Sequence, residues 1–331
     1  MKKEEIVKLF KNIANLHVVV VGDVMLDNYW WGDVERISPE APVPVVSLKR
    51  REARMGGAAN VAMNCRALGA KVTLASVTGK DHEGHLLKDM CEQEGINTSL
   101  LMLSSERITT TKTRVMSRSQ HILRMDDENN EELGIKDEHP FLDKLLKYLQ
   151  MQKPDVLIFE DYNKGVLKEN IIQRTIAHCR EIGMVTAVDP KKANFLAYKS
   201  VNIFKPNLKE VREGLNIQLP TVNKPAMDKV HKELKTILGH DVTFVTLSEK
   251  GVYYANSSSE ILPSHLRNIA DVSGAGDTVI ATAAIVYTLT KNPALMAGIS
   301  NIAGGLVCEE VGVVPISKRR LLEESVRLLA K

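Results

Sequence analysis

Short runs rich in β-branched residues alternate with helical patterns from His17 to the C-terminus, and few architectures accept that rhythm. Parallel strands need long crossover connections, usually helices, and strands covered on both faces read as continuous apolar runs. Such runs begin at His17 (HVVVVGD), Lys71 (KVTLASV), Asp155 (DVLIFED), Met184 (MVTAVD), Val201 (VNIFKP) and Asp241 (DVTFVTL). Helices are predicted between and after them, over 60–68, 83–94, 142–149, 168–182, 227–238, 276–289 and 295–307. The expected class is α/β with a mostly parallel sheet.

Two segments break the rhythm. Residues 28–48 carry Trp30, Trp31 and three prolines, and residues 109–126 read TTTKTRVMSRSQHILRMD. Both read as extended chain without a crossover helix, suited to a small antiparallel lid. Side chains two apart on a strand share a face, so Lys112 and Arg114 are predicted to point together, as are Arg118, Gln120 and Arg124. No repeat or Pro/Gly/Ser linker divides the chain, so 1–331 is expected to be one catalytic domain with this lid. At the N-terminus, Ile6, Leu9, Phe10 and Ile13 recur at helical spacing and predict an amphipathic helix lying on the body.

Charge and cysteine usage exclude several roles. A net charge of +3, from 44 basic and 41 acidic residues, is far from the excess a nucleic-acid footprint needs, so no nucleic-acid partner is expected. No run of about eighteen apolar residues occurs and the first segment lacks a signal-peptide pattern, which predicts a cytoplasmic chain without a membrane role. The four cysteines, Cys65, Cys91, Cys179 and Cys308, are widely spaced and read as reduced core residues. The Asp81-His82-Glu83-Gly84-His85 cluster reads as a polar helix start rather than a metal site.

The chemistry concentrates in Asp271-Val-Ser-Gly-Ala-Gly-Asp-Thr278, which leads into the apolar helix VIATAAIVYTL. Gly274, Ala275 and Gly276 let backbone N–H groups converge at a helix N-terminus, where unpaired donors and the helix dipole favour an anion. Capping the helix is the plain structural role open to Asp277. A carboxylate beside an anion hole repels phosphate, however, unless it serves another purpose such as taking a proton from an incoming hydroxyl, and that is the reading adopted. No P-loop occurs, and Gly274-Ala-Gly276 lacks the third glycine of a dinucleotide fingerprint. A second cluster, Met55-Gly-Gly-Ala-Ala-Asn-Val61, offers close backbone approach at Gly56 and Gly57 and a hydroxyl-binding amide at Asn60.

Together, Gly56-Gly-x-x-Asn60 and Asp271-x-x-Gly-Ala-Gly-Asp-Thr278 resemble the two signatures of ribokinase-like (PfkB) sugar kinases. The resemblance spans about Asn15 to about Ser325. It implies a Rossmann-like three-layer sandwich with a β lid, Asp277 as catalytic base, and Gly274, Ala275 and Gly276 as the backbone that neutralises the transferring phosphate. Asn207-Leu-Lys-Glu210 resembles the family's Mg·ATP element, although alone it reads as a helix cap with a capping-box glutamate. Thr246-Leu-Ser-Glu-Lys-Gly251, with Ser248 and Gly251, resembles its nucleotide-contacting turn. The implied cofactors are ATP and Mg2+, the metal held mainly through the ATP phosphates with Asn207 and Glu210 nearby; a monovalent cation is also compatible.

Within the family, Gly22-Asp-Val-Met-Leu-Asp27 with Tyr29, Trp30 and Trp31, Arg36 to Val46, Lys112 to Gln120, Asp161-Tyr-Asn-Lys-Gly165 and Asp189-Pro-Lys191 are similar to the branch that phosphorylates the anomeric hydroxyl of a heptose 7-phosphate on the route to ADP-heptose and lipopolysaccharide core. The substrate set this implies is Asp23, Asp27, Gly56, Gly57, Asn60, Asp161, Lys191 and Asp277, with Asp23 and Asp27 accepting from sugar hydroxyls. Lys112, Arg114, Arg118 and Arg124 are candidates for the distal phosphate, against the alternative of a solvated lid face. Some members carry a nucleotidylyltransferase half, and with the sequence ending soon after the kinase pattern no such half is expected here. Kinases of ribose, fructose or a nucleoside on the same fold, or a non-catalytic sugar-binding protein, stand as alternatives. Lid surfaces in the family pair between subunits, which implies a homodimer involving Trp30 and Trp31.

Overall fold

A computed structural model describes residues 2–118, 120–265 and 267–330; Met1, Ser119, Leu266 and Lys331, all inside the expected 1–331 domain and Ser119 inside the second lid segment, lie outside the described residues. The chain opens with α1 (Lys3–Asn12), β1 (His17–Gly22), β2 (Val24–Ile37), β3 (Pro44–Gly57), α2 (Ala58–Ala67), β4 (Lys71–Gly79), α3 (His82–Gln93) and β5 (Asn97–Ser104). It continues through β6 (Thr111–Ser117), β7 (Gln120–Asp127), α4 (Ile135–Gln152), β8 (Val156–Glu160), α5 (Glu169–Glu181), β9 (Val185–Asp189), β10 (Ile203–Phe204) and α6 (Leu208–Leu215). The last part holds α7 (Lys224–Leu238), β11 (Val242–Thr246), β12 (Val252–Ala255), β13 (Ser259–Leu262), α8 (Ala275–Thr290), α9 (Pro293–Val307) and α10 (Lys318–Leu329).

Nine strands form one sheet in the order β13-β12-β11-β10-β9-β8-β1-β4-β5, parallel except for the β12 and β13 edge. The four consecutive valines of β1 show why it lies at the centre. Val18 and Val20 pack into the core under α1, α2, α8, α9 and α10, while Val19 and Val21 pack into a second core under α4, α5 and α7. A strand with both faces apolar is stable only between two helical layers, which makes the molecule the expected three-layer sandwich. All six predicted core strands are present. Among elements not predicted, β5 is an edge strand with alternate exposed residues, and β12 and β13 are too short to stand out from a loop. Helix α4 begins seven residues before the predicted 142, with Pro140 inside it, because Phe141, Leu142, Leu145 and Leu149 bury a continuous stripe. At the N-terminus, α1 buries Ile6, Leu9 and Phe10 as its spacing predicted.

The lid is a four-stranded sheet in the order β3-β2-β6-β7. Its strands start deeper in the molecule than the predicted 28–48 segment, because β2 begins at Val24 and β3 runs to Gly57, so Gly56 and Gly57 belong to the lid's root. Register aligns Asp27 with Arg54 and Lys112, Tyr29 with Arg114, and Arg114 with Arg124, so these side chains share one face. Two expectations for β7 are corrected. A bulge at Ile122 pairs His121 with Met116 and Gln120 with Ser117, which turns Gln120 to the face opposite Arg124. Arg118 lies in the turn beyond β6 with φ 54°, about 20 Å along the strand from Lys112, and does not join the shared face.

Strand β1 has β4 on one side and β8 on the other, so strand order reverses there and the carboxyl ends of β1 and β8 open a crevice of the kind where open α/β sheets bind ligands. The two strands close tightly at that end: a Cβ on Gly22 would lie 1.9 Å from the Glu160 carbonyl oxygen. Gly22→Ala is therefore expected to destabilise the fold by about 1–3 kcal/mol or more through overpacking. Gly183→Ala, at φ 69° with nothing within 4 Å, should cost only about 1 kcal/mol of backbone strain. Thermal melting of both variants checks the order, and equal losses would show that the crevice end is not tightly closed.

Candidate active site

Gly274, the N-cap of helix α8, takes a left-handed φ of 77°. Asp277 follows in the first turn, but its side chain does not cap that helix. Its carboxylate turns toward the sheet, where it accepts from Asn60 Nδ2 at 2.6 Å and from the Tyr162 hydroxyl at 2.9 Å. Only glycine fits at 274, since a Cβ would approach Asn60 Nδ2 to 2.8 Å. Asn64 orients Asn60 by donating to its Oδ1 at 3.0 Å, and its own Oδ1 accepts from Thr278 Oγ1 and the Ile316 N–H, both at 3.0 Å. Two packed helices thus carry the amide and the carboxylate. Asp277 is only 4% exposed, and burial, with Asp189 adding to it against the Asn60 and Tyr162 hydrogen bonds, pushes it up to about 6.

Tyr162 is aimed by two buried carboxylates that were expected to bind sugar. Asp23, at the end of β1, accepts from the N–H groups of Tyr162 at 2.8 Å, Lys164 at 3.0 Å and Val166 at 3.0 Å. Asp161, at the end of β8, accepts from Tyr198 Oη at 2.7 Å, Asn194 Nδ2 at 3.1 Å and the Asn163 N–H at 2.8 Å. Both side chains are buried and their oxygens are engaged in shaping the 161–166 loop. Asp27 is paired with Arg114 at 2.5 Å, and a Cβ on Gly56 would lie 2.4 Å from its Oδ2. At Gly57 (φ 59°) the chain passes the Asp23 carbonyl too closely for a side chain.

A second cluster lies on the other side of Asp277. Lys205, 1% exposed, pairs with Asp189 Oδ2 at 2.8 Å, while Lys191 bridges Asp189 Oδ1 at 3.3 Å and Glu210 Oε1 at 2.5 Å. Burial opposes the Lys191 charge, yet Asp189 and Glu210 together raise its affinity for the proton. Glu160, beside Asp189 in the sheet, is fully buried with both oxygens unpartnered among the described residues, and burial plus the charges of Asp189 and Asp277 push it well above the usual carboxylate range. A Cβ on Gly276 would sit 3.6 Å from Asp189 Oδ2 and 4.0 Å from Lys205 Nζ, so this ion pair lies beside the loop. The Lys191 ammonium is also 5.2 Å from the Tyr162 ring.

Asn207 caps α6, and its N–H donates to Glu210 Oε2 at 2.7 Å in a capping box. A bridge from Asn207 to Thr246 sets this element beside the 246–251 turn, where Ser248 and Gly251 take φ of 55° and 89°. Among the described residues no three His, Cys, Asp or Glu side chains converge as a metal cage. One carboxylate and one amide at a helix start fit a Mg2+ that arrives on phosphate oxygens and keeps part of its water shell. On the lid, Lys112 lies 3.8 Å from both Asp126 and Glu128, and the exposed Arg124 is held bidentately by Asp126.

The fold thus gathers Asp277, Asn60, Gly274, Ala275 and Gly276 around one point, with Asp27, Gly56 and Arg114 on the lid side and Asn207, Glu210 and Lys191 on the other. Tyr162, Lys205 and Glu160 were not picked out from the sequence. The Asp161 to Gly165 and Val201 to Pro206 runs contained or adjoined them, but Tyr162 meets Asp277 across 115 residues of chain, a contact no local pattern announces. An anion-binding loop with a buried aspartate near pH 6 can accept a proton from a hydroxyl beside a bound phosphate.

Known proteins agree with that chemistry. The model of the pfkB family of carbohydrate kinases matches residues 15–319. A D-beta-D-heptose 7-phosphate kinase of Bordetella bronchiseptica is 38% identical over 320 residues, 95% of this chain and 98% of that protein. The bifunctional protein HldE of Methylobacillus flagellatus is 38% identical over 310 residues, but the chain spans 62% of its length. Among solved structures, phosphofructokinase-2 of Escherichia coli superimposes with a TM-score of 0.77 at 15% identity, covering 93% of this chain and 99% of that one. Arabidopsis thaliana ribokinase complexed with ribose and ATP gives a TM-score of 0.70 at 17% identity, covering 93% and 99%. The chain belongs to the pfkB family of carbohydrate kinases, phosphotransferases that act on a sugar hydroxyl.

Proposed function

We propose that the chain transfers the γ-phosphoryl group of ATP to the anomeric hydroxyl of D-glycero-β-D-manno-heptose 7-phosphate, giving the 1,7-bisphosphate used in ADP-heptose and lipopolysaccharide core synthesis. The observation that carries this substrate is the 38% identity, along nearly the whole of both chains, with the Bordetella D-beta-D-heptose 7-phosphate kinase. The lid supports it with Lys112 and Arg114 on the face that carries Asp27. In a cytoplasmic kinase of this kind the lid also closes over the sugar and keeps water from the transferring group.

In this reading Asp277 takes the proton of the attacking hydroxyl, while Asn60 and Tyr162 hold its carboxylate in line. The N–H groups of Gly274 to Gly276 and the α8 dipole stabilise charge on the transferring phosphoryl. Asn207, Glu210, Ser248 and Gly251 border the nucleotide. Mg2+, bound mainly by the ATP phosphates near Asn207 and Glu210, supplies charge neutralisation. Lys191 and Lys205, paired with Asp189 and Glu210, offset the carboxylates gathered beside the loop. A monovalent cation as activator is tested by turnover after dialysis against K+ or tetramethylammonium. The second copy of a homodimer is proposed to cover the lid's outer face, where Leu123 and Met125 are exposed on the side opposite Arg124 and Trp30 shares their face.

Asp277→Asn should lower kcat by at least about a hundredfold with ATP and sugar saturating. Because the carboxylate must be ionised to act, wild-type turnover should rise with pH through about 6 and level off above it. The same shift has a stability sign: a folded pKa above the unfolded value stabilises below that value and the benefit is lost as pH rises through about 6. Asp277→Asn is thus expected to melt no lower than wild type at pH 8. Near-normal kcat in the variant would make Asp277 a structural residue.

Lys112→Met and Arg114→Met should each cut kcat/KM for heptose 7-phosphate by about ten- to a hundredfold, with KM for ATP little changed, and should cost far less with unphosphorylated heptose. Arg118→Met serves as the lid-turn comparison. Equal losses on both sugars would remove the phosphate clamp, and high activity on ribose or fructose would move the substrate. Separately, Leu123→Glu with Met125→Glu should shift the sedimenting species from dimer to monomer; an unchanged dimer would place the interface elsewhere.

A further inference from the structure

We propose that Arg54 is a positioning residue that ties the shape of the 271–277 loop to the position of the lid. Arg54 lies on β3, in register with Asp27 and two residues before Gly56. Its guanidinium leaves the lid and reaches the body, where Nη1 donates to the carbonyl oxygens of Val311 at 2.9 Å and Val313 at 3.2 Å. Gly312, between them, makes that crossing possible: a Cβ there would lie 2.4 Å from Arg54 Nη1, and its φ of 75° belongs to the left-handed region.

From Gly312 the contact continues into the anion-binding loop. The Gly312 N–H donates to Asp271 Oδ2 at 2.9 Å, and Asp271 Oδ1 accepts the Ser273 N–H at 2.9 Å. Val313 packs against the next residue, its Cγ1 lying 3.4 Å from where a Cβ on Gly274 would be. Neither 271–274 nor 311–313 has a strand or helix ladder to fix it, so their shape depends on such side-chain anchors. Asp271 belongs to the loop itself; Arg54 belongs to the lid.

The lid end of the connection is equally specific. Glu52 takes Arg54 Nε at 2.6 Å and fixes the fork. The ring of Tyr29 lies between Arg54, at 5.0 Å, and Arg114, at 5.2 Å, and Arg114 pairs with Asp27 beside Gly56. The Tyr29 hydroxyl is buried without a hydrogen-bond partner among the described residues, so the polar part of the link runs through Arg54. A sugar that engages Asp27 or Arg114 presses on the ring against which Arg54 rests. Phosphoryl transfer needs the loop amides placed to a fraction of an ångström, and the lid-borne guanidinium sets them when the lid is down. An open lid leaves the loop slack, which restrains ATP hydrolysis when no sugar is bound.

The inference rests on the loop's role in phosphoryl transfer and not on which sugar is used. The test compares wild type, Arg54→Met, Arg54→Lys, Asp271→Asn and the Arg54→Met/Asp271→Asn double variant, reading kcat, both KM values and the melting temperature. Arg54→Met should lower kcat about ten- to a hundredfold with KM for ATP within about threefold of wild type, and Arg54→Lys should recover part of the loss. Because both positions act on one connection, the double variant should be no slower than the slower single variant, whereas independent roles would multiply. A kcat within twofold of wild type in Arg54→Met, or multiplied losses in the double variant, overturns the coupling. Should Arg54→Met fail to fold, Gly312→Ala blocks the crossing from the other side and must give the same lowered kcat; normal turnover there overturns it equally. An active Asp277→Asn would instead remove the phosphoryl-transfer reading itself.

Discussion

The arrangement turns on one buried carboxylate. Asp277 sits where the sheet reverses its strand order, almost without solvent, and its charge is tolerated because two donors from different parts of the chain meet it. Burial of an ionised group without partners costs several kcal/mol, so Asn60 and Tyr162 are as necessary to the folded state as to the site. Each donor has its own support. Asn64 stitches α2 to α8 and orients Asn60, and Asp23 and Asp161 hold the loop that presents Tyr162. The price of this convergence is a carboxylate that stays partly protonated up to about pH 6, the property the proposed role of proton acceptor near neutrality requires.

Around that point the charges are arranged unevenly. Lys191 and Lys205 share Asp189, and Glu210 takes the other side of Lys191, while Glu160 has no cation of its own among the described residues. Such a cluster is frustrated alone, with more carboxylates than cations in a low-dielectric space. A ligand that carries phosphate and its metal ion changes that balance, adding cations and acceptors where the lysines now lie. Two cores and the lid serve to hold this site open and then to cover it.

Much of the fold was legible in the sequence because it depends on periodicity. The valine run of β1 is apolar on both faces, and that alone requires helical layers above and below it. The lid strands were legible for the same reason in reverse, since 109–126 has charges at alternate positions and no helical stripe. Edges were less clear. Strands β12 and β13 are four residues each, and the 122 bulge, which moved Gln120 off the predicted face, leaves no mark in a pattern of alternating residues. Helix α4 was underestimated because Pro140 argues locally against helix, while burial of the leucines after it decides for one.

By itself the sequence determined the class of chemistry: a small-residue loop at a helix start, an aspartate three residues after its first glycine, and a Gly-Gly-x-x-Asn element placed far earlier in the chain. These are local requirements of backbone conformation and can be read from residue types. Which acids do chemistry and which only shape a loop was decided by tertiary structure. Asp23 and Asp27 are four residues apart in the same strand-and-turn segment, yet one accepts from backbone amides and the other pairs with the Arg114 guanidinium of the lid. Likewise Arg54, ordinary in a basic stretch of 50–54, gains its significance from two carbonyls more than 250 residues away. A carboxylate or guanidinium has no fixed role until the fold sets its partners and its distance from water, and those are properties of the packed chain.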